Sequence, residues 1–170
     1  NLVPNSATRL FKLYQLSGNK TLVDESDNAT GKVGIYEITD GTGFLYTPLG
    51  ELPLKIGDIY TVSFYIKADK ILDTGNISGN GLSILSSNLE NVVTTDYKKV
   101  IVTIRKNADG NNHFHLSGIG ENSKPFTVYI HSFQVEKGTK ATDWSPAPED
   151  VEKEINNVLD LANTKGKVII

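Results

Sequence analysis

The chain has 170 residues, of which 38% are hydrophobic and 22% charged, and its formal net charge is −3. This length suits one domain with a short appendage. The 17 Lys and Arg residues are too scattered along the sequence to attract nucleic acid. The chain has no Cys, which excludes disulfides and thiolate zinc sites. No apolar run reaches the roughly 20 residues of a membrane helix, and no Met is present, so we expect a soluble piece excised from a longer protein, with no nucleic acid and no membrane as partner.

Residues 1–144 alternate short apolar or β-branched runs with Gly, Asn, Asp and Pro breaks, a pattern typical of an all-β sandwich or barrel. The predicted strands, in chain order, are 32–38, 44–47, 60–67, 82–85, 99–105, 112–116 and 126–135. Asp40-Gly41, Asn80-Gly81 and Asp109-Gly110 are predicted hairpin turns. The side chains that alternate inward form the predicted core: Val62, Phe64, Ile66, Val100, Val102, Ile104, Phe114, Leu116, Val128 and Ile130.

A joint and a helix are predicted at residues 145–170, after the sandwich of residues 1–144. The Pro-rich stretch 145–148 leads into acidic residues that favour the first turn of a helix, and the stretch 163–166 indicates where that helix ends. Its apolar seam consists of Val151, Ile155, Val158 and Ala162. Two interpretations stay open. A narrow seam behind a Pro-rich hinge favours a coiled-coil stalk, and the alternative is a helix folded back onto the sandwich.

Three stretches of the chain resemble one family. Residues 133–150, which read FQVEKGTKATDWSPAPED, resemble the closing strand and exit of carbohydrate-binding-module-like sandwiches in tail, baseplate and receptor-binding proteins of phages that infect Gram-positive bacteria. Residues 1–6 (NLVPNS) and 57–68 (GDIYTVSFYIKA) resemble the opening and central strands of that family.

The resemblance implies an all-β jelly-roll sandwich that is a non-catalytic carbohydrate-binding module of a phage tail or baseplate protein. Such a module would lie in the virion and act at the host cell surface, where it would recognise a bacterial cell-surface polysaccharide during adsorption. Its other expected partners are the neighbouring domains of the same tail protein and, through the C-terminal helix, two further copies in a homotrimer.

This chain departs from related glycan-binding modules in two ways. Many of them hold a structural calcium with acidic residues after the first strand and in the last strand, but the corresponding stretches here read Ser6-Ala7-Thr8 and His131-Ser132-Phe133. We therefore expect no metal and no cofactor. Many also place Trp in the sugar cleft, whereas the single Trp144 lies in the exit motif, where we expect it to pack against the base of the sandwich.

Saccharides are bound by flat aromatic faces together with planar polar side chains, and the outward positions of the predicted strands offer both. The candidate ligand-binding residues at these outward positions are Tyr65, Lys67, Arg105, His113, His115, Tyr129 and His131. Tyr36, in or near a loop, is also a candidate ligand-binding residue, and Phe44, Tyr46 and Tyr97, likewise in or near loops, are further candidates. The alternative for each aromatic residue is that it covers the edge of the core, and the sequence does not show that these residues share one sheet.

Other chemistry has weaker support. His113 and His115 alternate on one strand and would hold a metal if His131 supplied a third ligand, but surface histidines at this spacing are more often solvated. The acidic residues lie mostly in turns or on the helix, so the facing carboxylates of a glycosidase are not predicted. No nucleophile elbow, phosphate loop or HExxH motif is present, and we expect no enzyme.

Two functions remain in competition. The outward aromatic and polar side chains favour a saccharide-binding module. The scarcity of Trp and the missing calcium ligands favour a structural spacer or assembly domain of the same fibre that binds no sugar.

Overall fold

The computed structural model describes residues 1–3, 11–13, 19–24, 32–40, 43–73, 75–90, 92–110, 112–145 and 147–169. Its elements are β1 (Lys12–Leu13), β2 (Lys20–Asp24), β3 (Val33–Ile38), β4 (Gly43–Pro48), β5 (Ile59–Ala68), β6 (Leu72–Asp73), β7 (Asn76–Asn80), β8 (Leu82–Ser87), β9 (Val92–Val93), β10 (Lys98–Lys106), β11 (His113–Ile119), β12 (Phe126–Lys137) and α1 (Pro148–Ile169). Each predicted strand is confirmed, while the short strands β1, β2, β6, β7 and β9 were not predicted.

Most of the strands belong to two antiparallel sheets. Strands β1, β4, β11 and β7 form a four-stranded sheet in that order, and β2, β3, β12, β5, β10 and β8 form a six-stranded sheet. The short strands β6 and β9 pair with each other. Strands β12 and β5 therefore lie in the middle of the larger sheet, where both edges of each strand are hydrogen-bonded to a neighbour.

The two sheets face each other across one apolar core. Phe64 of β5 and Phe114 of β11 bring their ring centroids to 6.1 Å, and Phe11 contacts both rings from the segment that leads into β1. Every residue of the predicted core is buried, with at most 2% of its surface exposed. Alternation along each strand thus produces the predicted β-sandwich, because successive side chains point to opposite faces.

Two of the predicted hairpin turns connect strands of different sheets instead of neighbouring strands of one sheet. Gly81 lies between β7 of the smaller sheet and β8 of the larger sheet, so Asn80-Gly81 carries the chain across the sandwich. Asp109-Gly110 makes the corresponding passage from β10 to β11. The hairpin prediction is wrong at both positions, because β7 does not pair with β8 and β10 does not pair with β11. Gly41 lies outside the described residues.

The helix α1 is confirmed, but its predicted end at residues 163–166 is wrong, because it continues to Ile169. Its first turn is closed by the carbonyl of Ala147, which accepts hydrogen bonds from the backbone N–H groups of Asp150 and Val151. Residues 151–164 are all exposed, so the alternative of a helix folded back onto the sandwich is also wrong. Within the described parts of the chain, no helix combines the length and apolar character needed to cross a bilayer.

Candidate functional site

The central strands of the six-stranded sheet carry aromatic and basic side chains on their outer face. Tyr65 and Lys67 of β5 alternate with core residues and therefore point outward. The register places His131 of β12 beside Tyr65, and Tyr129 beside Lys67. Lys99 of β10 lies on the other side of Tyr65. We call the following six residues the basic aromatic patch: Tyr65, Lys67, Tyr97, Lys99, Tyr129 and His131.

The imidazole of His131 is held between two tyrosine rings of the patch. Its plane lies nearly parallel to that of Tyr65, with ring centroids 5.0 Å apart and an interplanar angle of 4°. Tyr97 meets the same imidazole edge-on at 4.6 Å. Partial burial, and secondarily the nearby Lys67 ammonium, lower the pKa of His131, so the neutral ring is favoured near pH 7.

Two ammonium groups lie over the tyrosine faces of the patch. The Nζ atom of Lys67 is 4.7 Å from the centroid of Tyr97 and 5.2 Å from that of Tyr129. The Nζ atom of Lys99 is 5.9 Å from the centroid of Tyr65. A cation within about 6 Å of an aromatic face is attracted by the ring quadrupole. These contacts hold rings and charges together on a partly exposed surface.

A β-bulge in β12 determines which of its side chains face outward. Ser132 has φ 56°, and the register with β5 shifts between His131 and Gln134. His131 and Gln134 therefore both face outward, while Phe133 turns into the core with 2% exposure. The Oγ atom of Ser132 lies 2.8 Å from Nδ1 of His131, which helps to orient the imidazole.

The exit segment (residues 138–145) covers the outer face beside the patch. The Oγ1 atom of Thr61 donates to the carbonyl of Gly138 at 2.7 Å, and the backbone N–H of Ser145 donates to Oε1 of Gln134 at 3.1 Å. Thr61 and Gln134 are consequently buried although they face outward. The Nζ atom of Lys99 donates to the carbonyl of Thr142 at 2.7 Å, which ties the patch to the exit segment. The exit segment thus forms a border of the patch.

Trp144 belongs to the exit segment and not to the patch. It is partly buried, and its Nε1 atom is shielded from solvent with no hydrogen-bond partner among the described residues. This placement favours the packing role expected for Trp144.

Arg105 lies away from the patch. It is an exposed outward residue of β10, six positions beyond Lys99 in the same strand. At about 3.3 Å per residue, that separation is roughly 20 Å. Arg105 and the patch therefore share a sheet face but do not form one compact binding site.

His113 and His115 lie on the other side of the molecule. They alternate on β11 with the core residue Phe114, so they face outward from the four-stranded sheet. Tyr46 of β4 joins them there, 5.6 Å from His113 between ring centroids, and the two imidazole centroids are 5.8 Å apart. Partial burial, and secondarily the neighbouring imidazole of His113, lower the pKa of His115. These residues form a second face, separate from the patch.

The three-histidine metal site that was weighed from the sequence is not formed. His131 points outward from the six-stranded sheet, whereas His113 and His115 point outward from the opposite sheet. The core of the sandwich separates them. Across the described residues, no group of three or more His, Asp or Glu side chains is placed to hold a metal ion.

The structure corrects the prediction for Tyr36. This residue lies in β3 and is fully buried, so its ring cannot stack on a saccharide. Burial also raises the pKa of its hydroxyl far above the ordinary value, which keeps the phenol neutral. Among the further candidates, Tyr97 belongs to the patch, Tyr46 lies on the second face, and the side chain of Phe44 lies outside the described residues.

Sequence reasoning did not single out two contributors to the site. The alternation of β10 could have identified Lys99 as an outward residue, because it is four positions from the outward residue Thr103 and therefore lies on the same face of the strand. The sequence could not identify the carbonyl of Thr142, because every residue has a backbone carbonyl and only the path of the exit segment brings this one to Lys99.

A cavity of about 210 Å³ lies at the open edge of the sandwich, between β7 and β8. Its lining is formed mainly by Ile77, Ile84, Leu89, Leu116 and Ile119. Ligand pockets usually enclose about 300–1,000 Å³ and contain convergent polar groups. The basic aromatic patch is therefore the stronger candidate for a binding site.

No family model and no curated protein matches the sequence. Among solved structures, the chain is similar to the CBM22-1 xylan-binding domain of Xyn10C from Paenibacillus barcinonensis, with a TM-score of 0.54 and 13% identity over 79% of this chain and 89% of that one. The N-terminal cellulose-binding domain of β-1,4-glucanase C from Cellulomonas fimi gives a TM-score of 0.48 and 12% identity over 70% and 84% of the two chains. The first similarity, together with the sheet arrangement, shows that this chain has a carbohydrate-binding-module-like β-sandwich fold.

Proposed function

We propose that this chain is a non-catalytic carbohydrate-binding module that holds a saccharide on the basic aromatic patch. The observation that carries the proposal is the group of rings of Tyr65, Tyr97, Tyr129 and His131 on the outer face of the central strands. The C–H faces of a sugar stack on such rings, while ammonium and imidazole groups hydrogen-bond its hydroxyls.

The rigidity of the patch supports this role. Tyr65 and Tyr129 stand on strands that are paired on both edges, with core residues on the opposite face. The cation and ring contacts restrict the side chains further. A site that is ordered before binding loses less conformational entropy when the ligand arrives.

Binding without hydrolysis agrees with the chemistry of the patch. Glycosidases need two carboxyl groups that flank the scissile bond, and none of the six patch residues carries a carboxyl group. The nearby Glu136 accepts hydrogen bonds from the backbone N–H and the Oγ1 of Thr142. It therefore holds the exit segment in place.

The proposed setting is a tail or baseplate protein of a phage virion, and the proposed ligand is a bacterial cell-surface polysaccharide bound during adsorption. The resemblance of residues 133–150 to phage tail modules supports this setting. The order of domain, Pro-rich joint and helix also suits a module displayed on a stalk, next to other domains of the same protein.

The helix α1 supports assembly into a homotrimer. Its seam residues Val151, Ile155 and Val158 are 40%, 55% and 65% exposed. Leu159 and Leu161 widen the apolar surface and are also exposed. Apolar residues at intervals of four and three are typical of helices that pack against further helices of the same kind.

The second candidate function is a spacer or assembly domain that binds no sugar. The exposed seam of α1 is the observation that favours it, because assembly alone would explain that seam. The two candidates differ in one prediction, since a spacer leaves the basic aromatic patch without a ligand.

Titration calorimetry or saturation-transfer NMR with purified bacterial wall polysaccharides tests the proposal. We expect affinities per site in the micromolar to millimolar range, about −8 to −4 kcal/mol, because a sugar exchanges hydrogen bonds to water for hydrogen bonds to protein. The Tyr65→Ala and Tyr129→Ala variants should each bind about five- to tenfold more weakly, since each loses a stacking face.

Tyr46→Ala is the matched control, because Tyr46 is an outward tyrosine on the opposite sheet. It should bind like the parent. Loss of binding in Tyr46→Ala, with Tyr65→Ala and Tyr129→Ala unchanged, would move the site to the four-stranded sheet. No binding to any wall polysaccharide would favour the spacer.

A further inference from the structure

The charges of the basic aromatic patch are all positive. Lys67 makes neither a hydrogen bond nor an ion pair with the described residues, and its ammonium group lies over the rings of Tyr97 and Tyr129. Lys99 donates to one backbone carbonyl and has no carboxylate partner among the described residues. The chain as a whole has a net charge of −3, so this local excess is not a general property of its surface.

Nearby carboxylates are engaged elsewhere or lie outside the patch. Glu136 is bonded to Thr142, and Oδ1 of Asp69 accepts a hydrogen bond from the backbone N–H of Thr127. Glu37 is opposite Thr127 on β3, at the edge of the patch nearest Tyr129. The two ammonium groups are therefore left without a protein counter-ion in the part of the chain that the structure describes.

The spacing of the two ammonium groups suits one charged sugar. Lys99 is opposite Tyr65, and Lys67 is two residues further along β5, so the two lysines are diagonal neighbours. Diagonal neighbours have Cα atoms about 7–8 Å apart, and long side chains from such positions reach a common point. The ring of Tyr65 lies between these strand positions and offers a face for the sugar itself.

We propose that the patch selects a saccharide with an anionic substituent, a carboxylate or a phosphate, which Lys67 and Lys99 bind while the sugar ring stacks on Tyr65 or Tyr129. This inference rests on the proposed function and names the class of ligand for the same site. A neutral glycan would partly desolvate both ammonium groups without supplying a counter-ion, whereas an anion completes charge-assisted hydrogen bonds with them.

The same arrangement makes binding depend on pH through His131. Lys67 faces this imidazole from β5, Tyr65 and Tyr97 flank the ring, and Lys99 of β10 lies on the far side of Tyr65. On β3, the residues opposite Ile130 and Tyr129 are Gly34 and Ile35, which are uncharged. A bound anion offsets the Lys67 charge that lowers the pKa of His131, so binding raises this pKa. Proton uptake then accompanies binding, and affinity for a phosphate-bearing glycan rises as the pH falls through the range in which His131 titrates.

The test compares polymers that differ in charge. Affinity electrophoresis and calorimetry would measure binding to carboxymethyl cellulose, to neutral hydroxyethyl cellulose, and to a glucosylated poly(glycerol phosphate). We expect at least tenfold tighter binding to one or both charged polymers than to the neutral one, and the better of the two identifies the anion as carboxylate or phosphate.

Variants of Lys67 test whether the preference for charged polymers arises at the basic aromatic patch. Lys67→Met keeps the aliphatic stem and removes the charge, so it should abolish the preference by weakening binding to the charged polymers much more than binding to the neutral polymer. Lys67→Arg should restore most of the preference. Lys12→Met is the matched control, because Lys12 pairs with Tyr46 on the opposite sheet, and it should behave like the parent.

Three results would overturn the inference. Equal affinity for the charged and neutral polymers, with both affinities reduced about five- to tenfold in Tyr65→Ala, would reject the anionic ligand and leave the saccharide-binding function intact. A charge preference that survives Lys67→Met would place the anion away from the patch. Absence of binding to all three polymers and to wall polysaccharides would reject both the ligand class and the proposed function.

Discussion

Phe64 is the residue around which the two sheets are joined. It is fully buried on β5, and its ring contacts Phe11 and Phe114, with centroid distances of 5.3 and 6.1 Å. Phe11 also packs against Phe133 at 5.5 Å. These edge-on contacts link both sheets to the segment before β1, so the removal of one ring affects several others.

The Phe64→Ala variant should lose about 3–5 kcal/mol of unfolding free energy, because the truncation leaves a cavity that the paired strands cannot close. Chemical denaturation of parent and variant measures this loss. Ile71→Ala is the control, since Ile71 is 67% exposed, and it should stay within about 0.5 kcal/mol of the parent. A Phe64→Ala protein within about 1 kcal/mol of the parent would contradict the core described above.

Lys106 shows how a charged residue occupies an inward position. It follows the outward Arg105 on β10 and is 6% exposed. Its Nζ atom donates to the carbonyl of Leu54 at 2.8 Å and lies 3.4 Å from Oδ1 of Asp109. The aliphatic stem covers the end of the core while the ammonium finds polar partners, as is common for long basic side chains.

Among the elements, the junction of β7 and β8 depends on one glycine. Gly81 has φ 70°, and its carbonyl accepts hydrogen bonds from the backbone N–H groups of Asn107 and Ala108. A Cβ atom at this position would collide with Oδ1 of Asn112. Asn112 is 2% exposed, and its Nδ2 donates to the carbonyl of Ala108, so it cannot move aside easily.

We expect Gly81→Ala to destabilise the protein by at least about 1 kcal/mol more than Gly57→Ala. Gly57 also has a positive φ, 87°, but a Cβ there meets nothing within 4 Å. Both variants carry the backbone strain of about 1–2 kcal/mol for a non-glycine residue in this region, and only Gly81→Ala adds a steric clash. Denaturant unfolding of both proteins measures the difference; equal losses would show that Asn112 gives way.

The two halves of β12 have different roles in the candidate site. Its first half supplies Tyr129 and His131 to the patch, and its second half supplies Gln134 and Glu136 to the exit segment. The bulge at Ser132 separates the two halves. Binding surface and border therefore come from one continuous strand, which places them next to each other without a flexible connection.

At the level of the whole molecule, the apolar seam of α1 has no partner within the described part of the chain, because residues 151–164 are exposed. Isolated helices of this length are marginal in water and gain most of their stability from packing. Association of several copies would supply that packing. It would also place several patches on one particle, where weak contacts with a repetitive polymer reinforce each other by about 10² or more.

Sedimentation at high protein concentration should therefore show concentration-dependent association of the parent, with a trimer as the expected largest species. Ile155→Asp places a charge in the seam and should remain monomeric at the same concentration. Asn157→Asp introduces the same charge about 160° away around the helix, at 100° per residue, and should associate like the parent. Monomeric behaviour of all three proteins would contradict the stalk.

Much of the fold could be predicted because it depends on local pattern. Side chains alternate along a strand with a period of two, so the inward residues of β5, β10, β11 and β12 were recognisable, and all those predicted are buried. The same alternation marked Tyr65, Lys67, Tyr129 and His131 as outward. The helix was recognisable from its acidic first turn and apolar spacing, although Gly166 did not end it.

Strand pairing determines which residues form the candidate site, and the local sequence pattern does not show which strands pair. Tyr65 and His131 belong to strands far apart in the sequence and meet because β5 and β12 pair, whereas His113 and His115, equally outward, lie on the opposite sheet. Tyr36 was expected in or near a loop, but it lies within β3, which pairs with β2 and β12, and its side chain is buried in the core between the sheets. The sequence by itself determined the sandwich class, its core and the outward side chains; the tertiary structure alone decided which of those side chains share a surface, because pairing depends on contacts between distant segments.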